Sequence, residues 1–156
     1  MNTINFKHNW VLTDKLLLGE APKKKEDITL LKKYKIKSIL TLCDEIEFAL
    51  PNDLRKFFNC QRVVLPDHKV DKTITFEELD LSINLLSNLL KEGKVYIHCY
   101  AGLERSPLIC IGYLMINKNL SLTDSLEYLM SVNPGTCPLQ KHIDQLEKYI
   151  KNLKNK

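Results

Sequence analysis

Apolar residues follow two different spacings along this chain, and each spacing predicts a different kind of element. The clearest helical spacing lies in the segment that Thr75 opens. The Thr-Phe-Glu-Glu sequence offers a helix N-cap with an acidic third position, and Gly93 ends the pattern. Apolar side chains between them recur every three or four residues, at Leu79, Ile83, Leu86 and Leu90. This spacing predicts one long amphipathic helix.

Short apolar runs elsewhere predict strands that alternate with further helices. Strands are expected at 10–12, 16–19, 37–43, 60–65 and 94–98, the first two as a hairpin. Further helices are expected at 22–34, 52–59, 107–117, 123–132 and 138–152. Such alternation predicts an α/β fold with a central, mostly parallel sheet of four to five strands and helices on both faces. No long linker or repeat interrupts the pattern, so residues 1–156 are expected to form one domain.

The chemistry is concentrated where the strand ending at His98 meets the next helix. Residues 98–106 read His-Cys-Tyr-Ala-Gly-Leu-Glu-Arg-Ser, a tight loop between a strand and a helix. The backbone N–H groups of such a loop converge on one point, where the helix dipole adds positive potential. The loop therefore predicts a phosphate-binding cradle with a thiol at its floor. Its expected contributors are Tyr100, Ala101, Gly102, Leu103, Glu104 and Arg105.

Three side chains in this loop fit nucleophilic catalysis on phosphorus. Cys99 lies beside a helix N-terminus and a cation, which favours the nucleophilic thiolate. Arg105 offers a planar fork that grips two phosphoryl oxygens at once, and it is one of only three arginines in a lysine-rich chain. Ser106 can hydrogen-bond the sulfur and stabilise it as a leaving group.

His-Cys-x-x-Gly-x-x-Arg-Ser between a strand and a helix resembles the signature of the cysteine-based protein tyrosine phosphatase superfamily. The small size and the Ala-Gly pair are most similar to its compact dual-specificity branch. The resemblance implies a two-step hydrolysis through a phosphocysteine on Cys99, with Arg105 and the loop amides holding the phosphoryl oxygens. It implies no metal and no other cofactor.

The same chemistry needs a general acid on a loop beside the cradle. The Val-Val-Leu-Pro-Asp-His segment at 63–68 resembles the acid loop of the family, which makes Asp67 the expected acid. Asp71, four residues further on, is a competing candidate. Asp67 as a plain turn residue is the structural alternative.

Three more residues acquire expected roles from the resemblance. His98 is expected to organise the loop by hydrogen bonding, and Asn133 to brace the cradle from the turn before the last helix. An ordinary buried histidine and an ordinary Asn-Pro-Gly turn are the alternatives. Cys43 resembles a cysteine of phosphoinositide-phosphatase relatives that bonds the oxidised nucleophile, so a redox pair of Cys43 with Cys99 is predicted. Its alternative is a small apolar residue that closes a strand.

The loop interior also bears on the substrate. Glu104 stands where phosphoinositide-specific relatives carry lysine, and a carboxylate at the rim disfavours polyanionic substrates. The leading expectation is a dual-specificity phosphatase acting on phosphotyrosine, phosphoserine and phosphothreonine in proteins. A phosphatase of a non-protein monoester, such as a phosphoglucan, and a non-catalytic phosphate-binding module are the alternatives.

Composition argues against several other classes of protein. The 156 residues contain no apolar stretch long enough for a membrane span, and polar residues interrupt the start where a signal peptide would lie. Five cysteines without framework spacing favour a reducing, cytoplasmic setting, and no zinc-binding pattern occurs. The net charge of +4 comes from scattered lysines without interleaved aromatic residues, so neither nucleic acid nor a membrane is an expected partner.

Overall fold

The computed structural model of the chain describes residues 5–156, and its strands and helices alternate as the sequence predicts. The strands are β1 (His8–Leu12), β2 (Leu16–Gly19), β3 (Ser38–Thr41), β4 (Asn59–Arg62) and β5 (Val95–His98). The helices are α1 (Lys25–Lys33), α2 (Asn52–Phe57), α3 (Phe76–Glu92), α4 (Arg105–Asn117), α5 (Leu122–Val132) and α6 (Gln140–Lys154).

All five strands form one sheet in the order β1-β2-β5-β3-β4. Only the β1–β2 hairpin is antiparallel, and β5 lies between β2 and β3 with both pairings parallel. The predicted α/β fold with a mostly parallel five-stranded sheet is therefore confirmed. Ligand sites in such sheets lie at the carboxyl ends of the strands. The loop after His98 leaves the sheet at that edge, from its central strand.

Each face of the sheet carries its own apolar core, because successive side chains of a strand point to opposite faces. On β5, Val95 and Ile97 pack into the larger core beneath α3, α4, α5 and α6. Tyr96 packs into the smaller core with α1 and α2. Every residue of β2, β3 and β5 is buried, as expected for parallel strands covered on both faces.

Helix α3 realises the predicted cap and ends at the predicted glycine. The Thr75 side chain accepts a hydrogen bond from the Glu78 backbone N–H, and the Glu78 carboxylate accepts one from the Thr75 N–H. Its buried side chains are Leu79, Ser82, Ile83, Leu86 and Leu89. Leu90 is only partly buried, because position 89 rather than 90 faces the sheet at this turn.

Helix α2 ends at Phe57, before the predicted end at 59, and α1 is also shorter than predicted, for a reason that concerns the site. The pattern predicts a helix over 22–34, whereas α1 begins at Lys25. Residues 20–24 instead form an irregular segment, and the Ala21 N–H donates to the Tyr100 carbonyl at 2.9 Å. The segment before α1 thus supports the loop that follows β5. Among residues 5–156, no helix is both long and apolar enough to cross a membrane.

Candidate active site

In the loop from Cys99 to Glu104, the carbonyl groups of Tyr100, Gly102 and Leu103 are held by the surrounding protein. The Tyr100 carbonyl accepts from the Ala21 N–H at 2.9 Å, and the Leu103 carbonyl from the Cys137 N–H at 2.7 Å. The side-chain amide of Asn133 donates to the Gly102 carbonyl at 3.0 Å. In the described part of the chain, no N–H of residues 100–104 donates to another backbone carbonyl. These amides are therefore left to serve an anion inside the loop.

Gly102 is the residue that lets the loop turn this tightly. Its φ is +75°, a left-handed conformation that side chains disfavour. A Cβ at this position would also lie 2.6 Å from the Gly19 carbonyl carbon and oxygen, at the end of β2. Any side chain here would push the loop away from the sheet edge.

Cys99 lies under this loop as a buried thiol. Burial opposes ionisation of Cys99, but hydrogen bonds from the side chain and backbone of Ser106, followed by the charge of Arg105, outweigh it and hold the pKa of Cys99 below its ordinary value. The sulfur lies 3.3 Å from the Ser106 Oγ. The geometry therefore favours a thiolate at the floor of an anion-binding loop.

Arg105 begins α4 and is held by an acidic residue that the sequence did not single out. Its two terminal nitrogens donate to the Glu47 carboxylate at 2.9 and 2.6 Å. Burial opposes the charge, but these bonds outweigh it and raise the pKa of Arg105. The Arg105 Nε is buried and has no partner among the described residues. Two of the five guanidinium N–H donors are thus used for orientation, and the others remain for a ligand.

His98 organises the start of the loop as a neutral ring. Burial lowers the pKa of His98 to about 4. Its Nδ1 donates to the Cys99 carbonyl at 2.7 Å, and its Nε2 lies 2.8 Å from the Thr41 hydroxyl on β3. The ring therefore ties the residue of the thiol to the neighbouring strand.

Asn133 joins the loop to two other parts of the fold. Besides the Gly102 carbonyl, its amide nitrogen contacts the Thr136 Oγ1 at 3.0 Å. Its amide oxygen accepts from the Asn9 side chain at 2.9 Å. Asn133 is buried, so these contacts replace water around its amide. The position fits the bracing role that the sequence predicts.

Asp67 and Arg105 line one cavity of about 480 Å³. Asp67 lies in the loop after β4, where its Oδ1 also accepts from the Lys69 N–H at 2.8 Å, as in an Asx turn. Asp71, the competing candidate, is exposed and is absent from the described lining of this cavity. The structure brings Asp67, rather than Asp71, to the wall of the arginine's cavity.

The lining of the same cavity is rich in charged residues but includes one exposed apolar group, which we call the apolar mouth. Ile46, Val64 and Val70 form this group and are 97%, 50% and 48% exposed. They come from the loops after β3 and β4, next to the carboxylates of Glu47 and Asp67. An apolar mouth beside a phosphate site offers contact area to an uncharged part of a substrate.

Glu104 does not stand free at the rim as the sequence suggests. Its side chain is 17% exposed, and its Oε2 accepts from the Nδ1 of His68 at 2.8 Å. The second oxygen, Oε1, is buried without a partner among the described residues. The carboxylate is directed at the acid loop and not at the open side of the cradle.

Cys43 lies at the same edge of the sheet as the nucleophile. β3 and β5 pair with Thr41 opposite His98, so Cys43 lies just beyond the position opposite Cys99. Cys43 is fully buried, and burial, helped by the charge of Glu47, raises its pKa to about 11.

All five cysteines are free thiols, and residues 5–156 contain no cluster of three or more His, Cys, Asp or Glu side chains suited to a metal ion. The polar groups that meet at the site are those of an anion-binding loop.

Comparison with known proteins agrees with this geometry. The family model "dual specificity phosphatase, catalytic domain" matches residues 16–152. Phosphatidylglycerophosphate phosphatase PTPMT2 of Arabidopsis thaliana is 28% identical over 120 residues, which cover 76% of this chain and 52% of that protein. Dual specificity protein phosphatase 19 of Mus musculus is 29% identical over 135 residues, which cover 86% and 58%. The chain thus spans little more than half the length of these relatives.

A solved structure, PTPMT1 in complex with PI(5)P, is similar over 95% of this chain and 97% of its own, with a TM-score of 0.80 and 18% identity. At that identity the likeness shows the fold alone.

Proposed function

The chain belongs to the dual-specificity phosphatase family, and from this premise we propose that it is a cysteine-dependent protein phosphatase. It hydrolyses phosphomonoesters of tyrosine, serine and threonine through a phosphocysteine intermediate. Relatives include a protein phosphatase and a lipid phosphatase by name, so family membership alone leaves the substrate open.

One observation carries the proposed reaction. A buried thiol with a lowered pKa lies beneath a loop in which the carbonyl groups of Tyr100, Gly102 and Leu103 accept hydrogen bonds from outside the loop. Such a loop presents its amides to a phosphoryl group, and Arg105 adds a fixed positive charge. The positive field comes from the protein, so this route needs no metal ion.

In the first step the Cys99 thiolate attacks phosphorus as the bond to the leaving oxygen breaks. The loop amides and Arg105 bind the three equatorial oxygens, whose charge is highest in the transition state. Asp67, as the protonated acid, gives its proton to the departing alcohol or phenol. The products are phosphocysteine and the Asp67 carboxylate.

In the second step water cleaves the phosphocysteine. Asp67 takes a proton from the attacking water, which restores the acid for the next turnover. The electron pair of the sulfur–phosphorus bond returns to Cys99, and the Ser106 hydroxyl stabilises the thiolate as it leaves. Splitting one displacement into two is the benefit of covalent catalysis.

The reaction is tested by hydrolysis of para-nitrophenyl phosphate in EDTA, comparing wild type with Cys99→Ser. Cys137→Ser is the matched control, because Cys137 is exposed. Activity that survives EDTA and Cys137→Ser but disappears in Cys99→Ser supports the proposal. A reduced, folded wild type without turnover on any monoester would indicate the alternative, a phosphate-binding module.

The leading substrate class is phosphorylated protein, because the loop that forms the cradle reaches the surface at Tyr100 and Ala101. Tyr100, next to the nucleophile, is 42% exposed, and the apolar mouth is also exposed. A shallow opening accepts the short serine and threonine phosphates as well as phosphotyrosine. We place the enzyme in the cytoplasm, since it has free cysteines in an odd number.

A phospholipid monoester is the second candidate, and the apolar mouth is the observation that favours it. Ile46, Val64 and Val70 can contact acyl chains while the phosphate enters the cradle. Phosphopeptides and a lipid phosphomonoester in vesicles should be compared for wild type, Ile46→Ser and the control Leu81→Ser. Leu81 is also exposed, at 57%, but lies outside the cavity.

The two substrate classes predict different results. A protein phosphatase turns over the peptides faster, and Ile46→Ser changes the turnover of both substrates by a similar factor. A lipid phosphatase turns over the vesicles faster and loses that preference in Ile46→Ser but not in Leu81→Ser. Activity on neither, with turnover of a phosphoglucan, would favour the carbohydrate alternative.

A further inference from the structure

His68 and Glu104 join the two catalytic segments of this protein at adjacent positions. His68 follows the proposed acid Asp67, and Glu104 precedes the phosphate-binding Arg105. The His68 Nδ1 donates to the Glu104 Oε2 at 2.8 Å, across 36 positions of the chain. The contact therefore connects the loop of the acid to the loop of the nucleophile.

The acid loop has little other polar attachment. Upstream, the Leu65 N–H donates to the Leu42 carbonyl, and downstream the Lys72 carbonyl lies 3.3 Å from the His142 Nε2. Between these points, and among the described residues, the hydrogen bonds of residues 66–71 are local, within 66–72, except for the one from His68 to Glu104. Within the described residues, the loop that carries Asp67 to the wall of the cavity is thus joined to the phosphate-binding loop by a single polar contact.

The burial of Glu104 makes it the better-fixed of the two partners in this hydrogen bond. Its side chain is 17% exposed, whereas that of His68 is 61% exposed. The Glu104 Oε1 is buried without a partner among the described residues, so the carboxylate relies on its other oxygen. A desolvated carboxylate strengthens a hydrogen bond that it accepts. The mostly buried Glu104 therefore anchors the exposed His68.

We propose that Glu104 and His68 are a positioning pair that holds Asp67 over the phosphate during protonation of the leaving group. Neither residue touches the reacting atoms. Glu104 is carried by the rigid start of α4, and His68 transmits its position to the neighbouring Asp67. The inference rests on the proposed phosphatase function and adds a role for a carboxylate that the sequence suggests only as a repulsive rim charge.

The consequence is a dependence on the leaving group. Phenyl phosphate needs a proton on its departing oxygen, whereas 2,4-dinitrophenyl phosphate leaves as a stable anion without one. Loss of the positioning pair should therefore reduce turnover of the first substrate and spare the second. The value to compare is kcat/KM, because it reports the first chemical step and not hydrolysis of the phosphocysteine.

The test uses His68→Ala, Glu104→Ala, the conservative His68→Asn, and Asp67→Asn. Asn can place an amide N–H where the His68 Nδ1 donor lies. Asp71→Asn is the matched control, since Asp71 is an exposed carboxylate of the same loop. General acids contribute roughly 10²–10⁴-fold, so loss of positioning should lower kcat/KM for phenyl phosphate about tenfold. His68→Asn should restore most of this loss.

A second measurement separates positioning from a general structural role. If the pair acts through Asp67, His68→Ala causes no further loss on phenyl phosphate in the Asp67→Asn background. Equal losses on both substrates, unchanged activity in both alanine variants, or additive losses with Asp67→Asn would overturn the inference. In those cases Asp67→Asn and Cys99→Ser still report on the phosphatase function independently.

Discussion

Glu47 holds both terminal nitrogens of Arg105 in a bidentate ion pair and leaves the buried Nε of the guanidinium without a partner among the described residues. The two residues are 58 positions apart and come from different edges of the same cavity. The guanidinium is therefore oriented before any phosphate arrives. Preorganised charge of this kind needs no rearrangement at the moment of reaction.

Glu47→Gln should lower kcat/KM for para-nitrophenyl phosphate. The amide keeps one acceptor but turns an NH₂ group toward a guanidinium N–H, so the orientation of Arg105 is lost. A charge-assisted hydrogen bond is worth roughly 1.5–3 kcal/mol, which corresponds to a loss of about tenfold or more. Glu45→Gln is the control, because Glu45 pairs with Arg55 and Arg62 in an exposed position. Similar losses in both variants would contradict the special role of Glu47.

Ser106→Ala should raise the pKa of Cys99, since burial of the thiol is then opposed by fewer hydrogen bonds. A higher pKa leaves less thiolate near neutral pH, so the acid limb of the kcat/KM profile moves to higher pH. The expected shift is about one pH unit, the equivalent of one hydrogen bond. The pH dependence of Cys99 alkylation by iodoacetamide measures it without turnover.

Ser125→Ala is the matched control for that experiment. Ser125 is also buried, and its hydroxyl has no hydrogen-bond partner among the described residues. An alkylation profile that is unchanged in Ser106→Ala would show that the hydroxyl does not stabilise the thiolate.

Asp67→Asn should reduce kcat/KM for phenyl phosphate by roughly 10²-fold, the lower end of what general acids contribute. The asparagine keeps the Asx turn to Lys69 but has no proton to give. Asp71→Asn should be close to wild type, because Asp71 is exposed away from the cavity lining. Steady-state kinetics on both variants decides the assignment. A large loss in Asp71→Asn, with Asp67→Asn close to wild type, would assign the general acid to Asp71 instead.

Mild peroxide should produce a reducible disulfide between Cys43 and Cys99. Peroxide oxidises the Cys99 thiolate to sulfenic acid, and the Cys43 sulfur then displaces water to form the bond. Because burial raises the pKa of Cys43 to about 11, the second step should accelerate as the pH rises. Mass spectrometry of oxidised wild type and Cys43→Ser tests this. Sulfinic Cys99 without any disulfide in the wild type would show that Cys43 is a packing residue.

Prediction from the sequence succeeded where the signal is carried by consecutive residues. The helix from Thr75 to Gly93 and the strand before His98 have the expected character, since capping and apolar spacing are local properties. The start of α1 was predicted too early, because the irregular segment at 20–24 is tied by Ala21 to the loop at Tyr100. That contact joins segments about 80 positions apart, so no local sequence pattern predicts it.

In the candidate site, too, the contacts between distant residues could not be predicted from the sequence. Glu47 was missed because Asp44, Glu45 and Glu47 form one acidic segment, and only the fold decides which of them faces Arg105. Glu104 was expected as a charge at the rim, yet the fold turns its carboxylate onto His68. The bracing role of Asn133 stays a prediction, and the structure gives its contacts with Gly102 and Asn9.

The sequence by itself determined the alternation of strands and helices and the loop that unites Cys99, Gly102, Arg105 and Ser106. These residues are neighbours in the chain, so one tight turn brings them together. Tertiary structure alone decided which distant groups orient them: Glu47 on Arg105, Asn133 on the loop carbonyl, and Glu104 on the histidine beside Asp67. The physical reason is that such partners meet only after the strands have paired in register and their loops have packed at one edge of the sheet.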